Sequence, residues 1–268
     1  MAQTYVDGLT DRLVAAIGQG TEVPRQPDLD IDTAYVVAAR VRAARALRGE
    51  TAVGRKIGFT NTTILARYGM TGPIWNHVFD STVQTEGAGT EINVAAFAEP
   101  RIEPEIVLLL GRAPAAGMDT AALLDCVDAV AHGFEIVQSV FPGWKFSAAE
   151  AVAAFGLHGA LVVGPWHPIA ADRARWGAEL ADFTVTLFRN GTAVDTGHAR
   201  HVLGGPVKAL GYLVAALADR PDCPALSAGE IITTGTLTDA WPIRPGERWS
   251  TELSGIDLNG IAVRVAGS

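Results

Sequence analysis

The sequence predicts an α+β fold: a helical N-terminal arm over residues 1–50, then a mixed, mostly antiparallel β-rich body over residues 51–268 with a few covering helices, one domain overall. Three observations carry this. Tyr5, Leu9, Leu13 and Ile17 recur four residues apart, the spacing of one helix face. After Gly49 the texture changes to short β-branched runs separated by Gly and Pro. A chain of 268 residues that is 49% hydrophobic and 19% charged can bury one large core, or a core with a small accessory region.

In chain order, "YVDGLTDRLVAAIG" gives the first helix, and "DTAYVVAARVRAARALRG", rich in Ala and Arg and stopped by Gly49, gives the second. The prolines of "EVPRQPDLDI" make the join an extended connector. Strands are expected in "VGRKIGFT", "TEINV", "RIEPEIVLLL", "GALVVGP", "FTVTLFRNGTAVDTG", "EIITTGTL" and "IDLNGIAVRVAG". Asn190-Gly191 supplies the two positive-φ residues of a type I′ hairpin turn, and Asn259-Gly260 is expected to turn a second hairpin. "MDTAALLDCVDAVAHG" and "PVKALGYLVAALADR" read as amphipathic helices. No repeat of 20–50 residues and no low-complexity tract is present.

Charge narrows the function. The formal net charge is -8, the pI is near 5.2, and Lys and Arg form no runs, which argues against a nucleic-acid surface and for a small-molecule partner. Cys126 and Cys223 lack CxxC spacing, no charged-then-apolar leader opens the chain, and no apolar stretch reaches membrane-spanning length, so a cytoplasmic protein is expected.

Glu103 and Glu105 sit at the mouth of the apolar run "RIEPEIVLLL". On a strand, positions i and i+2 share a face, so two carboxylates would stand side by side and raise each other's pKa unless a cation neutralised them. Pro104 supports an extended segment and places this end at a strand start or an edge. A hard divalent ion such as Mg2+ takes oxygen ligands and keeps positions for water or substrate. Glu135 in "HGFEIVQSV" offers a third carboxylate on a neighbouring strand. The alternative is a solvated strand end paired with Arg101 or Arg112.

Lysine occurs only at positions 56, 145 and 208. Lys56 in "GRKIGFT" and Lys145 after "FPGW" could bind a substrate carboxylate or serve as general acids, or lie on the surface with their stems on the core. The Thr/Gly loop of "GEIITTGTL" could receive an anion, as many strand-to-turn junctions could. Among the histidines, His77, His132 and His158 fall near the candidate site in sequence, whereas His198 and His201 in "TGHARHVLGG" form a weak H-x-x-H that lacks a third ligand. No G-x-S-x-G, P-loop or dinucleotide fingerprint is present.

Taken in order, "KIGFT", "WNHVFDSTV", "PRIEPEIVLLL", "FEIVQS" with "GWK", "NGTAVDTG", "GGPVKALGYLV", "LSAGEIITTGTL" and "IDLNGIAVRV" resemble the 2-keto-4-pentenoate hydratase and 4-oxalocrotonate decarboxylase family of the fumarylacetoacetate hydrolase superfamily. The resemblance implies a β-rich roll of the superfamily's C-terminal type, with Mg2+ or Mn2+ held by Glu103, Glu105 and Glu135. The metal would chelate the 1-carboxylate and 2-oxo oxygens of a 2-oxo or 2-hydroxy-dienoic acid and act as a Lewis acid on the developing enolate. It further implies catalytic roles for Lys56 and Lys145, substrate contacts at Thr236, Asp80 and Gln138, and a homo-oligomer, with a related hydratase or decarboxylase as a possible complex partner.

The sequence departs from the family pattern where the chemistry would occur. Gln138 stands for an acid and Val140 for an arginine; Leu157-His158-Gly159 replaces a Ser-Ser-Gly segment, and Gly205 replaces a histidine. His158 is therefore a candidate replacement acid or base, or a structural histidine. The expected function is a metal-dependent lyase, first a 2-keto-4-pentenoate (2-hydroxypenta-2,4-dienoate) hydratase. A 4-oxalocrotonate-type decarboxylase, an acylpyruvate C–C hydrolase and a non-catalytic partner subunit are the alternatives.

Overall fold

The structure, a computed structural model, describes residues 3–61, 72–220 and 222–267. Helix α1 (Gln3–Ala16) lays Leu9 and Leu13, both fully buried, against α2 (Ile31–Leu47). Burying a leucine side chain contributes roughly 1.5–3 kcal/mol, so this seam is what keeps the arm folded. Helix α2 starts at Asp30, whose carboxylate accepts the Thr33 N–H at 2.8 Å. The connector is tied to the body twice: Val23 N–H donates to the Val140 carbonyl at 2.7 Å, and Arg25 forks onto the buried Glu150 carboxylate of α4 (Ala148–Ala153).

The body holds two sheets. The larger runs β2-β1-β11-β5-β6-β7-β3, with β12 (Trp241–Pro242) beside β5 and β8 (His167–Pro168) beside β6. Its strands are β1 (Ala52–Gly58), β2 (Ile74–Phe79), β3 (Val83–Thr85), β5 (Arg101–Leu110), β6 (Val127–Val137), β7 (His158–Val163) and β11 (Ile231–Thr233). The smaller runs β10-β9-β13-β14-β4, from β4 (Glu91–Asn93), β9 (Thr184–Arg189), β10 (Thr192–His198), β13 (Arg248–Ser254) and β14 (Ala262–Ala266). Between the sheets, Phe134, Ile136 and Val162 meet Leu187, Trp249 and Val263. Farther along the same face, Ile106, Leu108 and Val130 are covered by α3 (Thr120–Leu124), α5 (Arg173–Ala181) and α6 (Pro206–Ala218), while on the opposite face Val107, Ala131 and Leu161 pack with Val78 and Val163. The fold is α+β, as expected.

Three local expectations give way. Residues 118–133 form only the short α3 before β6 begins at Val127. Strand β6 is covered on both faces, so its apolar residues run without the alternation that marks a half-exposed strand. Pro104 lies inside a central strand. Its carbonyl accepts from Leu237 N–H at 2.9 Å, on the side where β11 pairs with Val107–Leu109 and β12 with Arg101–Ile102. A residue's N–H and C=O point to the same side of a strand, so the missing donor falls in the gap between those two partners. Finally, Asn190 and Gly191 take positive φ in the β9–β10 hairpin, but Asn259-Gly260 makes no such turn. Gly260 is instead needed for contact: a Cβ there would lie 1.9 Å from the Thr251 carbonyl oxygen.

Candidate metal and substrate site

Strands β5 and β6 pair antiparallel in a register that sets Glu103 directly opposite Glu135. Glu105, two residues on, projects from the same face. One carboxylate oxygen from each of the three lies within 4.8 Å of the others, and this is the only such acidic, histidine or cysteine cluster among the described residues. Glu105 and Glu135 are fully buried, while Glu103 keeps part of its surface open to a cavity.

Lys56 arrives from β1, two strands away. Its buried Nζ stands 3.0 Å from Glu135 Oε2 and donates to the Gly156 carbonyl at 2.9 Å. Behind Glu135, His158 Nδ1 is 2.7 Å from Oε1, and its Nε2 is 2.9 Å from Thr82 Oγ1. A carboxylate only accepts, so Nδ1 carries the proton, and burial favours the neutral ring; the Thr82 hydroxyl beside Nε2 donates to the Phe79 carbonyl at 2.8 Å. Gly235 N–H donates to Glu105 Oε2 at 2.8 Å. Gly235 has φ +102, and a Cβ there would sit 1.8 Å from Thr60 Oγ1, so only glycine brings this amide to the carboxylate.

Charge in the cluster is unevenly compensated. Burial, then the neighbouring Glu135, raise Glu103 to about 7 against the pull of Lys56. Glu105 is pushed well above the ordinary carboxylate range by burial and by Glu135 and Glu103. For Glu135, burial acts upward too, but Lys56 and the His158 hydrogen bond outweigh it and hold it low. Burial would lower Lys56, yet Glu135, Glu103 and Glu105 together keep it protonated. One ammonium thus serves three carboxylates. Glu105 Oε1 is buried with no hydrogen-bond partner, an orphan that costs stability unless a cation takes it up. An all-oxygen set of three carboxylates with an orphaned acceptor fits a hard divalent cation.

The cavity beside the cluster is lined by Lys56, Glu103 and Thr236, with Phe59, Phe146 and Trp144 among its apolar walls. The Thr236 hydroxyl donates to the Thr238 carbonyl at 2.9 Å. Other expected residues lie elsewhere. Lys145 is exposed on the far side of the turn through Trp144, outside the cavity lining. Asp80 is exposed and accepts the N–H groups of Thr51 and Ser81, which makes it a cap. Gln138 is buried with its side-chain oxygen bonded to Ala98 N–H, and it lines, with His158, a second cavity under the helical arm. The ring of His158 therefore touches Glu135 from behind instead of facing the first cavity. His198 Nε2 is 3.1 Å from Asp182 and joins no metal-ligating cluster among the described residues.

Arg101, the residue weighed only as a partner for the glutamates, lines the cavity with its guanidinium carbon 3.9 Å from the centroid of the Trp144 ring. Its place two residues before Glu103, on the same strand face, was the available signal. Arg112 instead stands 3.8 Å from Asp125, away from the cluster.

Comparison with known proteins places these features in a family context. Residues 73–262 match the model of the fumarylacetoacetate (FAA) hydrolase C-terminal family. A 4-oxalocrotonate decarboxylase from Pseudomonas sp is 32% identical over 244 residues, covering 90% of this chain and 91% of that one. A 2-keto-4-pentenoate hydratase from Paraburkholderia xenovorans (strain LB400) is 30% identical over 235 residues, covering 86% and 82%. The 4-oxalocrotonate decarboxylase from Pseudomonas putida G7, complexed with magnesium and adipate, superposes with a TM-score of 0.90 over 99% of this chain and 98% of that one, at 23% identity.

Proposed function

The chain belongs to the fumarylacetoacetate hydrolase family, and from that premise we propose that it is a divalent-metal-dependent lyase for a 2-oxo or 2-hydroxy-dienoic acid, with Mg2+ or Mn2+ held by Glu103, Glu105 and Glu135. The observation that supports this most directly is the orphaned Glu105 Oε1 inside a three-carboxylate cluster at the wall of a part-apolar cavity. The bound cation would supply Lewis-acid stabilisation of negative charge at the 2-oxo oxygen.

The chain's own residues do the rest. Lys56, whose ammonium reaches Glu135, holds a proton at Nζ beside the cavity and can pass it to a substrate atom or anchor a carboxylate. Thr236 lines the same wall, and its hydroxyl would have to turn from the Thr238 carbonyl to donate to the substrate's carboxylate. Gly235 N–H and His158 Nδ1–H fix the rotamers of Glu105 and Glu135. Phe59, Phe146 and Trp144 exclude water from the carbon chain.

The names of the relatives divide between hydration and decarboxylation, and the two reactions share a dienol: 2-hydroxypenta-2,4-dienoate is what hydration consumes and what decarboxylation of 2-oxohex-3-enedioate leaves. Hydration keeps the first place that the sequence suggests, and decarboxylation is favoured by the basic side chain of Arg101 in the cavity. A homo-oligomer, or a complex with a related enzyme, belongs to the same reading; the exposed Val36 and Leu47 on α2 support an association surface. No described helix is long and apolar enough to cross a membrane, which is compatible with a cytoplasmic enzyme.

Purified protein with Mg2+ is assayed on both substrates, following dienol absorbance and CO2. Turnover of either, abolished by EDTA and by Glu105→Ala, is expected. Turnover of neither, or turnover indifferent to both treatments, overturns the reading.

A further inference from the structure

Positive charge gathers on the face of β1 and β2 opposite to Lys56. Arg55 on β1 and His77 on β2 are direct partners in the antiparallel pair, so their side chains share that face. Tyr35 of α2 stacks on Trp75, two residues before His77, at 5.1 Å. Arg42 follows Tyr35 by two turns of the helix and, with His77, Trp75 and Cys223, lines a cavity of about 30 Å3 where α2 crosses the strands.

Three nitrogens of this cluster are buried and meet no acceptor: Arg42 Nε, Arg55 Nε and His77 Nε2. Arg55 and His77 are themselves only 3% and 6% exposed. The terminal nitrogens of Arg55 are engaged elsewhere. Nη1 donates to Glu230 Oε2 at 2.8 Å and to the Gly54 carbonyl at 3.2 Å, and Nη2 donates to the Pro224 carbonyl at 3.3 Å. Glu230 thus balances one guanidinium, while Arg42 has no carboxylate partner among the described residues. The acid at the cavity, Asp222, is exposed at its rim. Burial, then the guanidiniums of Arg55 and Arg42, hold the His77 ring neutral, and no carboxylate opposes them. A neutral imidazole still offers one N–H, so the cluster presents three donors and an uncompensated charge.

Buried donors without an acceptor destabilise a fold, most of all on a cation. One water needs roughly 10–15 Å3, so the cavity holds a water or a single small ion and excludes an organic acid. A water has two lone pairs and brings two protons that would need acceptors of their own. A monatomic anion accepts from all three donors and balances the second guanidinium. We propose that Arg42, Arg55 and His77 form a binding site for a chloride ion, which ties α2 of the helical arm to β1, the strand that carries Lys56. The site is separate from the carboxylate cluster and holds whatever reaction that cluster performs.

Thermal melts of the full chain in sodium chloride and in sodium gluconate at equal ionic strength test this. With chloride at about tenfold its Kd, wild type is expected to melt on the order of 3–5 °C higher in chloride. Arg42→Met and His77→Phe, each lacking one donor, should lose that difference, with far-UV circular dichroism showing that each is folded. Crystals grown in sodium bromide should give an anomalous peak in contact with Arg42 Nε and His77 Nε2. Should one variant fail to fold, the other decides; should both fail, the wild-type salt difference and the bromide peak decide together. Equal melting of wild type in the two salts, or a difference that both variants keep, overturns the proposal. A bromide peak without a shift in solution is binding at crystal concentration only and overturns it too. A chloride shift that appears only in Cys223→Ala assigns the balancing charge to the Cys223 thiolate, with the same consequence.

Discussion

Glu103 and Glu135 face one another directly across β5 and β6, like charges in register at the centre of a buried sheet. Like charges directly opposite destabilise a strand pair, and these two are joined by Glu105 on the same face. A single ammonium, Lys56, reaches the group, at Glu135. The cluster is thus built short of positive charge, and its behaviour follows from how that deficit is met.

Adding Mg2+ or Mn2+ to metal-free protein should raise its melting temperature. At about a hundredfold excess over Kd the linkage is worth about 2.7 kcal/mol, or on the order of 5–10 °C for a chain of this size. Calorimetric scans with and without metal measure it. Glu105→Ala should lose the shift; a variant that keeps it would remove Glu105 from the site.

Lys56→Met should abolish turnover and destabilise the metal-free protein, since stripping one partner from a buried ion pair costs roughly 3–5 kcal/mol. Protonation of Glu135 would relieve part of that. Urea denaturation of wild type and variant provides the comparison, and added Mg2+ should narrow the gap. Equal stability without metal would show that Lys56 does not compensate the cluster.

Metal binding should tighten as pH rises through about 7, where Glu103 gives up its proton. The sign for stability is the reverse. Glu103 and Glu105 have folded pKa values above 4.5, so the folded metal-free protein holds the extra protons. Their contribution is full below about 4.5, and Glu103's part is lost as pH rises through about 7. Between about pH 6.5 and 8 the buried His132 and His77, pushed down by burial to about 4 and about 2, act in the opposite sense at the lower end, where only their unfolded rings still bind protons, and add almost no slope above about pH 7.5. Metal titrations in two buffers of different ionisation heat, with denaturation of EDTA-treated protein across that range, read both effects. Affinity that is flat with pH would contradict the raised Glu103.

His158→Phe should weaken Mn2+ binding about 10–100-fold, the usual cost of losing the group that orients a ligand. A fall in turnover at saturating metal should be smaller than the fall in affinity. Unchanged affinity with turnover lost would return His158 to the role of acid or base.

Glu150→Gln should loosen the connector between α1 and α2. The buried carboxylate accepts from Arg25, from the Gln26 backbone N–H and from the Ser147 N–H that starts α4. A loss of about 1–3 kcal/mol is expected, with faster amide exchange at residues 22–28. Unaltered exchange there would mean the arm is held by Leu9 and Leu13 alone.

Much of the molecule was legible in the chain because it depends on local pattern. Four-residue spacing marks α1, Gly49 stops α2, and Asn190-Gly191 turns β9 into β10. The alternation of Arg101, Glu103 and Glu105 defines one strand face, and ordered motifs pointed to the family before any contact was known. Tertiary structure decided what depends on register and on burial from two sides. Coverage on both faces turned residues 127–133 into strand, and cross-strand pairing set Glu135 against Glu103. The way the chain returns placed His158 behind Glu135, moved Lys145 and Asp80 outward, and laid Arg101 on Trp144. Local spacing fixes which face a side chain takes; which partner waits on that face is set by residues far away in the chain.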